Sequence, residues 1–352
     1  MADSAYARAG VDTSRADSAI SALVDVLRTI DIGRPSRVVL RSGHYATVID
    51  LNGVGLALST DGVGSKVIVA EQLGRYDTVG IDCVAMNVND LVCVGAEPIA
   101  LLDYIAVEDA DPEVLRQIGV GLKEGAEQAG VEIPGGELAQ LPELIRGHPS
   151  PRGFDLAASS VGVVALDAIV TGDALQPGDA VIGLPSNGLH SNGYTLARRV
   201  LPDLEERFGE ATVGQELLRP TAIYVRAALE LLRSPEIEVR GLAHITGDGF
   251  LNLPRLSDSV GWSIESPLPV PPVCELIAER GSVPAEDLWE TFNMGCGFCC
   301  VVPSAHAEAA AAMLGDHHPG ASVIGRVTAD AGLVELPFAG LAGRRGEGFR
   351  RA

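Results

Sequence analysis

Lysine is almost missing from this chain. Among 352 residues it occurs only at Lys66 and Lys123, and the other basic residues are arginine. Positive charge as a whole is scarce, with 26 Lys and Arg against 47 Asp and Glu and a formal net charge of −21. That balance excludes a broad electrostatic footprint for nucleic acid or for an anionic membrane surface. Aromatic residues are 4% of the chain against 47% hydrophobic residues in all, so the core must be built from Ala, Val, Leu and Ile. No apolar run reaches the roughly 20 residues that span a bilayer, and the start MADSAYARAGVD lacks the apolar segment of a signal peptide. A soluble, cytoplasmic protein is expected. Six cysteines occur, but the CGFCC cluster at 296–300 has no second CxxC pair, and adjacent Cys299 and Cys300 would face opposite sides of a strand. Buried, reduced thiols are expected rather than a zinc site or disulfides.

What is present is α/β alternation. The length suggests two domains. Apolar spacing predicts a helix over 15–30, two strands around Asn52-Gly53, a helix over TVGIDCVAMNVNDLVCVGAE, a buried strand IALLDYIAV and a helix opened by Pro112. FDLAASSVGVVAL reads as a further strand, and the turn-rich TGDALQPGDA places a domain boundary near residue 168. The second half repeats the alternation, with strands AVIGLPS, LAHIT, VGWSIES, FCCVVP and SVIGRV, and helices around 194–201, 219–233, 270–281 and 305–314. Neither half has a strict βαβ order. The fold class is therefore α+β, with two mixed α/β domains over 1–168 and 169–352.

The chemistry gathers at acids and glycines. LSTDGVGSKV carries a predicted strand into an acid, two glycines and Lys66. On the following helix, Asp82, Met86, Asn89/Asp90 and Cys93 share one face at i, i+4 and i+7/i+8. Acids and amides in so apolar a segment need a partner, and hard cations such as Mg²⁺ favour carboxylate oxygens together with substrate phosphates. TDGVGSK, PGGELAQLPE, PSNGLHSNGY and HITGDGF each join glycine to polar residues at an expected strand-to-helix transition, where backbone N–H groups can cradle an anion without net positive charge. None matches the P-loop pattern G-x-x-x-x-G-K-[ST]. His190 and His244 lie in such loops, and His44 also follows a glycine, whereas His148, His306, His317 and His318 read as surface residues.

YARAGVD, STDGVGSK, GIDCVAMNVNDLVCVGAEPIALLDYIA, GGELAQLPE, FDLAASSVGVV, GLPSNGLHSNGYTLARRV, HITGDGFLNLPRL and TFNMGCGF follow one another in this chain. In that order they resemble the phosphoribosylformylglycinamidine cyclo-ligases of purine biosynthesis. The resemblance implies an ATP-dependent ring closure of a small ribonucleotide. It further implies a homodimer whose N-terminal sheets pair into a barrel, and a C-terminal α/β sandwich that completes a cleft. Carried onto this sequence, it implies Mg²⁺ on Asp61, Asp90 and Glu137. ATP and its phosphates would lie on Asp61, Gly62, Gly64, Lys66, Asn89, Gly135 and Gly136. The substrate would meet Glu137, His190, Ser191, Asn192, Thr246 and Gly247. Lys66, Asp90, His190 and His244 would act in catalysis, with His190 or His244 moving the proton and His244 also helping to hold the substrate phosphate. The chain departs from the usual motifs at Leu138 and Gln140 in a GGETAEMP-like stretch, at Asp248 in place of the middle glycine of GGG, and at RSGHYA, where a glycine-rich GGFG stretch is usual. Other ATP-using members of the superfamily, and a nucleotide-binding paralogue without ring closure, are the alternatives.

Overall fold

The computed structural model describes residues 10, 13–41 and 43–352, so the YARAGVD motif falls outside it apart from Gly10. In the N-terminal half, β1 (Val38–Leu40), β2 (Thr47–Leu51), β3 (Val54–Gly62), β4 (Glu97–Val107), β5 (Glu132–Gln140) and β6 (Phe154–Ala165) form one sheet in the order β1-β2-β3-β6-β4-β5. All neighbours are antiparallel except β4 and β5. The β2–β3 hairpin turns on Asn52 and Gly53, both at positive φ, with the Gly53 N–H donating to Asp50 Oδ1 at 2.7 Å.

Helices Val79–Cys93 and Pro112–Ala129 pack side by side on the sheet. The second starts at a capping Asp111, whose Oδ1 accepts from the Glu113 N–H, and stops at a left-handed Gly130. Gly80 sets how closely the pair approaches, since a Cβ there would lie 2.2 Å from the Leu122 nitrogen. Among the described residues no element covers the opposite face of the sheet. β4 is thus only half buried, with Leu102 53% and Tyr104 42% exposed, rather than the buried strand its apolar run predicts. PGGELAQLPE departs from expectation too, because most of it is edge strand β5, held in register by β4.

The C-terminal half holds β7 (Ala180–Pro185), β10 (Gly241–His244), β11 (Gly261–Ile264), β12 (Cys296–Val302), β13 (Ser322–Thr328), β14 (Val334–Leu336), β15 (Leu341–Arg344) and β16 (Gly348–Arg351). They form a sheet ordered β10-β12-β7-β13-β11-β14-β15-β16, beside a small ribbon of β8 (Arg207–Phe208) and β9 (Ala211–Thr212). The six cysteines are free and buried, as expected. The helix expected over 219–233 begins only at Val225, because residues 219–224 are drawn out to meet the N-terminal half. Helices Val213–Leu217 and Ala285–Thr291, and strands β14–β16, were not predicted. The first of these carried a readable signal, a Thr212–Gln215 capping box. One apolar core runs through both halves, so they pack as a unit. Among the described residues no helix is long and apolar enough to cross a membrane.

Candidate active site

The helix Val79–Cys93 is the pillar between the halves, and every one of its residues is buried except Asp90. A helix buried all round must satisfy its polar side chains internally. Asn87 does so on the β3 end, donating to the Asp61 carbonyl at 3.0 Å and accepting from the Asp61 N–H at 3.2 Å. Asn89 donates to the Ala222 carbonyl and accepts from the Tyr224 N–H, both at 2.9 Å. Asp82 meets the Lys66 ammonium at 2.8 and 2.9 Å and accepts from the Thr221 N–H and hydroxyl and the Ser191 hydroxyl.

Asp90 differs. Its Oδ1 lies 3.0 Å from Nδ1 of the fully buried His244, which puts that ring's N–H on the carboxylate and leaves Nε2 facing Asn89. Asp61, at the end of β3, lies on the sheet face that the helix covers. Burial, and then the charge of Asp90, push its carboxyl up to about 6. Its Oδ1 accepts the Gly62 N–H at 2.7 Å. Two carboxylates near enough for one to feel the other's charge form a donor set suited to a hard divalent cation. Arg255 supplies the nearby positive charge. It donates to the His44 carbonyl at 2.8 Å and stacks 4.1 Å above the Tyr45 ring. Burial and then Arg255 pull the His44 imidazole down to about 4.

Arg255 also lines a cavity of about 250 Å³ with Asn192, Thr246, Gly247, Asp248 and Glu290. Asp248 takes a left-handed φ of 72°, the conformation a glycine would adopt most easily, at the start of the turn Gly249–Arg255. Burial and then the Asp248 charge raise the Glu290 carboxyl.

The residues singled out from sequence therefore separate. Asn192, Thr246 and Gly247 line the cavity, while Asp61 and Asp90 form the acid pair beside Arg255. Gly62 and Gly64 shape the turn after β3, Gly64 at positive φ. Lys66 is sealed inside, its three N–H bonds taken by Asp82 and by the carbonyls of His190 (3.1 Å) and Arg219 (2.6 Å), which leaves none for a phosphate. Asn89 and Ser191 are likewise spent on internal bonds. The His190 Nε2 accepts from the Asn187 and Ala222 N–H groups, and burial holds this ring well below its usual range. Neither His190 nor His244 lines the cavity.

Glu137 is also displaced from the acid pair. Asp61, Ala158, Asp103 and Gly136 form one row across β3, β6, β4 and β5, so Gly136 stands three strand spacings, about 14 Å, from Asp61. Gly135 lies one residue before it, and Glu137, paired with Tyr104, projects from the uncovered face. Among the described residues no three His, Cys, Asp or Glu converge as a metal site. Sequence reasoning missed Arg255, though it is the lone cation of HITGDGFLNLPRL. Of the four histidines read as surface residues, His318 is half-buried against Tyr224, with ring centroids 4.8 Å apart.

Comparison with known structures finds the same overall fold in other proteins. A hydrogenase maturation protein HypE in complex with ATP aligns with a TM-score of 0.59 at 21% identity, over 85% of this chain and 86% of that one. Thiamine monophosphate kinase from Aquifex aeolicus aligns with a TM-score of 0.59 at 17% identity, over 91% and 96%. At these identities the likeness is one of fold. Family membership is more specific: the chain belongs to the AIR synthase related proteins, whose N-terminal domain matches residues 43–164 and whose C-terminal domain matches 176–335. Its curated relatives include the phosphoribosylformylglycinamidine cyclo-ligase of Methanothermobacter thermautotrophicus, 47% identical over 94% of this chain and 96% of the relative. That of Thermococcus gammatolerans is 45% identical over 93% and 96%.

Proposed function

We propose that the protein closes the imidazole ring of aminoimidazole ribonucleotide from formylglycinamidine ribonucleotide, using ATP and releasing ADP and phosphate. The amide oxygen of the substrate is a poor leaving group. Transfer of the ATP γ-phosphoryl group to it makes phosphate the leaving group, and an amidine nitrogen then attacks the same carbon. The amide oxygen departs within the phosphate, and the attacking nitrogen gives up its proton. No enzyme nucleophile is needed, so the protein's task is to position the reactants and neutralise charge.

The observation that carries this reading is the Asp61–Asp90 pair near Arg255, which itself lines the cavity, in a chain more than 40% identical to cyclo-ligases along nearly its whole length. Asp61 and Asp90 would hold Mg²⁺, which supplies charge neutralisation to ATP phosphates. Asn192, Thr246 and Gly247 would receive the ribonucleotide, with the halves 1–168 and 169–352 on either side. The uncovered sheet face supports a homodimer, since Leu102, Tyr104 and Val54 form an apolar surface that no element among the described residues covers. Glu137 and the β5 glycines, too far from Asp61 in one chain, would complete the partner subunit's site or border the interface. The cytoplasm suits such an enzyme.

The test is to incubate the protein with formylglycinamidine ribonucleotide, ATP and Mg²⁺ and follow ADP and aminoimidazole ribonucleotide together by mass spectrometry. Equal amounts of both products are expected. ADP without the imidazole would overturn the reading in favour of a kinase with another acceptor. ATP binding without either product would favour a non-catalytic paralogue.

A further inference from the structure

Lys66 and Asp82 form an ion pair with no exposed surface, placed off the cavity. Replacing such a pair by apolar residues of similar volume is often neutral for stability, so its presence calls for a reason other than stability. The direction of its bonds supplies one. Lys66 follows the turn that leaves Asp61, and Asp82 sits two helical turns before Asp90, about 12 Å along the axis. Every other bond of the pair crosses to two loops of the C-terminal half: Lys66 to the carbonyls of His190 and Arg219, Asp82 to Ser191 and Thr221. Charge-assisted hydrogen bonds are strong and directional, which apolar packing is not. Asn192, next to Ser191, faces the cavity, and its Nδ2 is buried without a partner. On the far side the loop meets Phe292, because a Cβ on Gly193 would lie 2.1 Å from that ring. The loop is thus fixed between Phe292 and the ion pair.

We propose that Lys66 and Asp82 are positioning residues, a strap that sets the loop 190–193 relative to the turn after Asp61 so that Asn192 meets the ribonucleotide in register with the phosphoryl donor. The proposal rests on the reaction assigned above. Its mildest probe is Thr221, which donates to Asp82 through its hydroxyl at 2.6 Å, meets the Ser191 hydroxyl at 3.1 Å and does not itself line the cavity. Thr221→Val removes both hydroxyl contacts, to Asp82 and to Ser191, at constant shape, and Thr221→Ser restores them.

Steady-state kinetics on both variants should show kcat/KM for the ribonucleotide falling about tenfold in Thr221→Val, with the KM for ATP unchanged, and recovering to within about twofold in Thr221→Ser. A Thr221→Val enzyme that melts earlier but keeps wild-type kcat and both KM values would overturn the strap, since a purely structural bond predicts that result. A second variant, Lys66→Met with Asp82→Leu, fills the site without charge. It should fold by circular dichroism and lose at least about 100-fold in kcat/KM, and wild-type turnover there would equally overturn the proposal. If the wild type itself forms no imidazole, the reaction assignment fails. The strap is then judged by calorimetric binding of the ribonucleotide, which Thr221→Val should weaken about tenfold and Thr221→Ser should not; equal binding by the two would overturn it.

Discussion

Asp82 and Asp90 stand on one helix, two turns apart, and the protein treats them in opposite ways. Asp82 is fully enclosed and receives a lysine, two hydroxyls and a backbone N–H from its own chain. Asp90 keeps 15% of its side chain exposed, is given one imidazole N–H, and lies near a second carboxyl that burial and its charge hold at about 6. The first acid is finished by the fold and serves architecture. The second is left electrostatically incomplete, which is the condition a bound cation or phosphate-bearing ligand would relieve.

The contrast can be broken from either end. Removing charge at the enclosed acid should have the largest effect on stability: Asp82→Asn leaves Lys66 buried against a neutral group and should cost about 3–5 kcal/mol, read as a fall in the urea midpoint. At the open acid, Asp90→Asn should leave the fold intact and slow ring closure by about 10²–10³-fold in the coupled ADP and imidazole assay.

Asp61→Asn sharpens the comparison through pH. A carboxyl raised from its ordinary 3.8 to about 6 makes the native state prefer the proton, so ionised Asp61 destabilises the fold at pH 8 by roughly 2–3 kcal/mol. The penalty is complete above about pH 6 and absent below about pH 4. Asp61→Asn should therefore melt higher than wild type at pH 8, match it at pH 4, and lose ATP use. A melting gain independent of pH would remove the electrostatic account. The smallest effect belongs to a solvent-facing pair, Arg116 with Glu113, where Arg116→Ala should leave the melting temperature unchanged.

Much of this was legible in the sequence because it rests on local pattern. The Asn52-Gly53 hairpin, the Asp111–Pro112 helix start and the acid-bearing helix all follow from spacing and turn chemistry. Asp61 and Asp90 stood out in the sequence because an acid in an apolar surround demands a partner. The fate of Lys66 was not. A lysine after a glycine turn looks like a phosphate ligand, and its bonds are to Asp82 and to carbonyls 124 and 153 residues away, which only the assembled fold brings near. Asn89 and Ser191 misled for the same reason, since polar residues inside a domain junction resemble ligand-facing ones until their partners are seen. Glu137 shows the limit of motif order. Its neighbours in sequence match a family site, but the sheet order places two strands between β5 and β3.

The burial of Lys66 also changes what chemical probes can see. With one of two lysines enclosed, Lys123 presents the one solvent-facing side-chain amine among the described residues, paired there with Glu127. Among side chains, acylating reagents and amine-directed cross-linkers will report on the helix Pro112–Ala129. For labelling, immobilisation or attachment of a fluorophore, the side chains offer a single accessible amine beside the chain's α-amine. Modification of the second amine becomes a direct readout of the two halves coming apart.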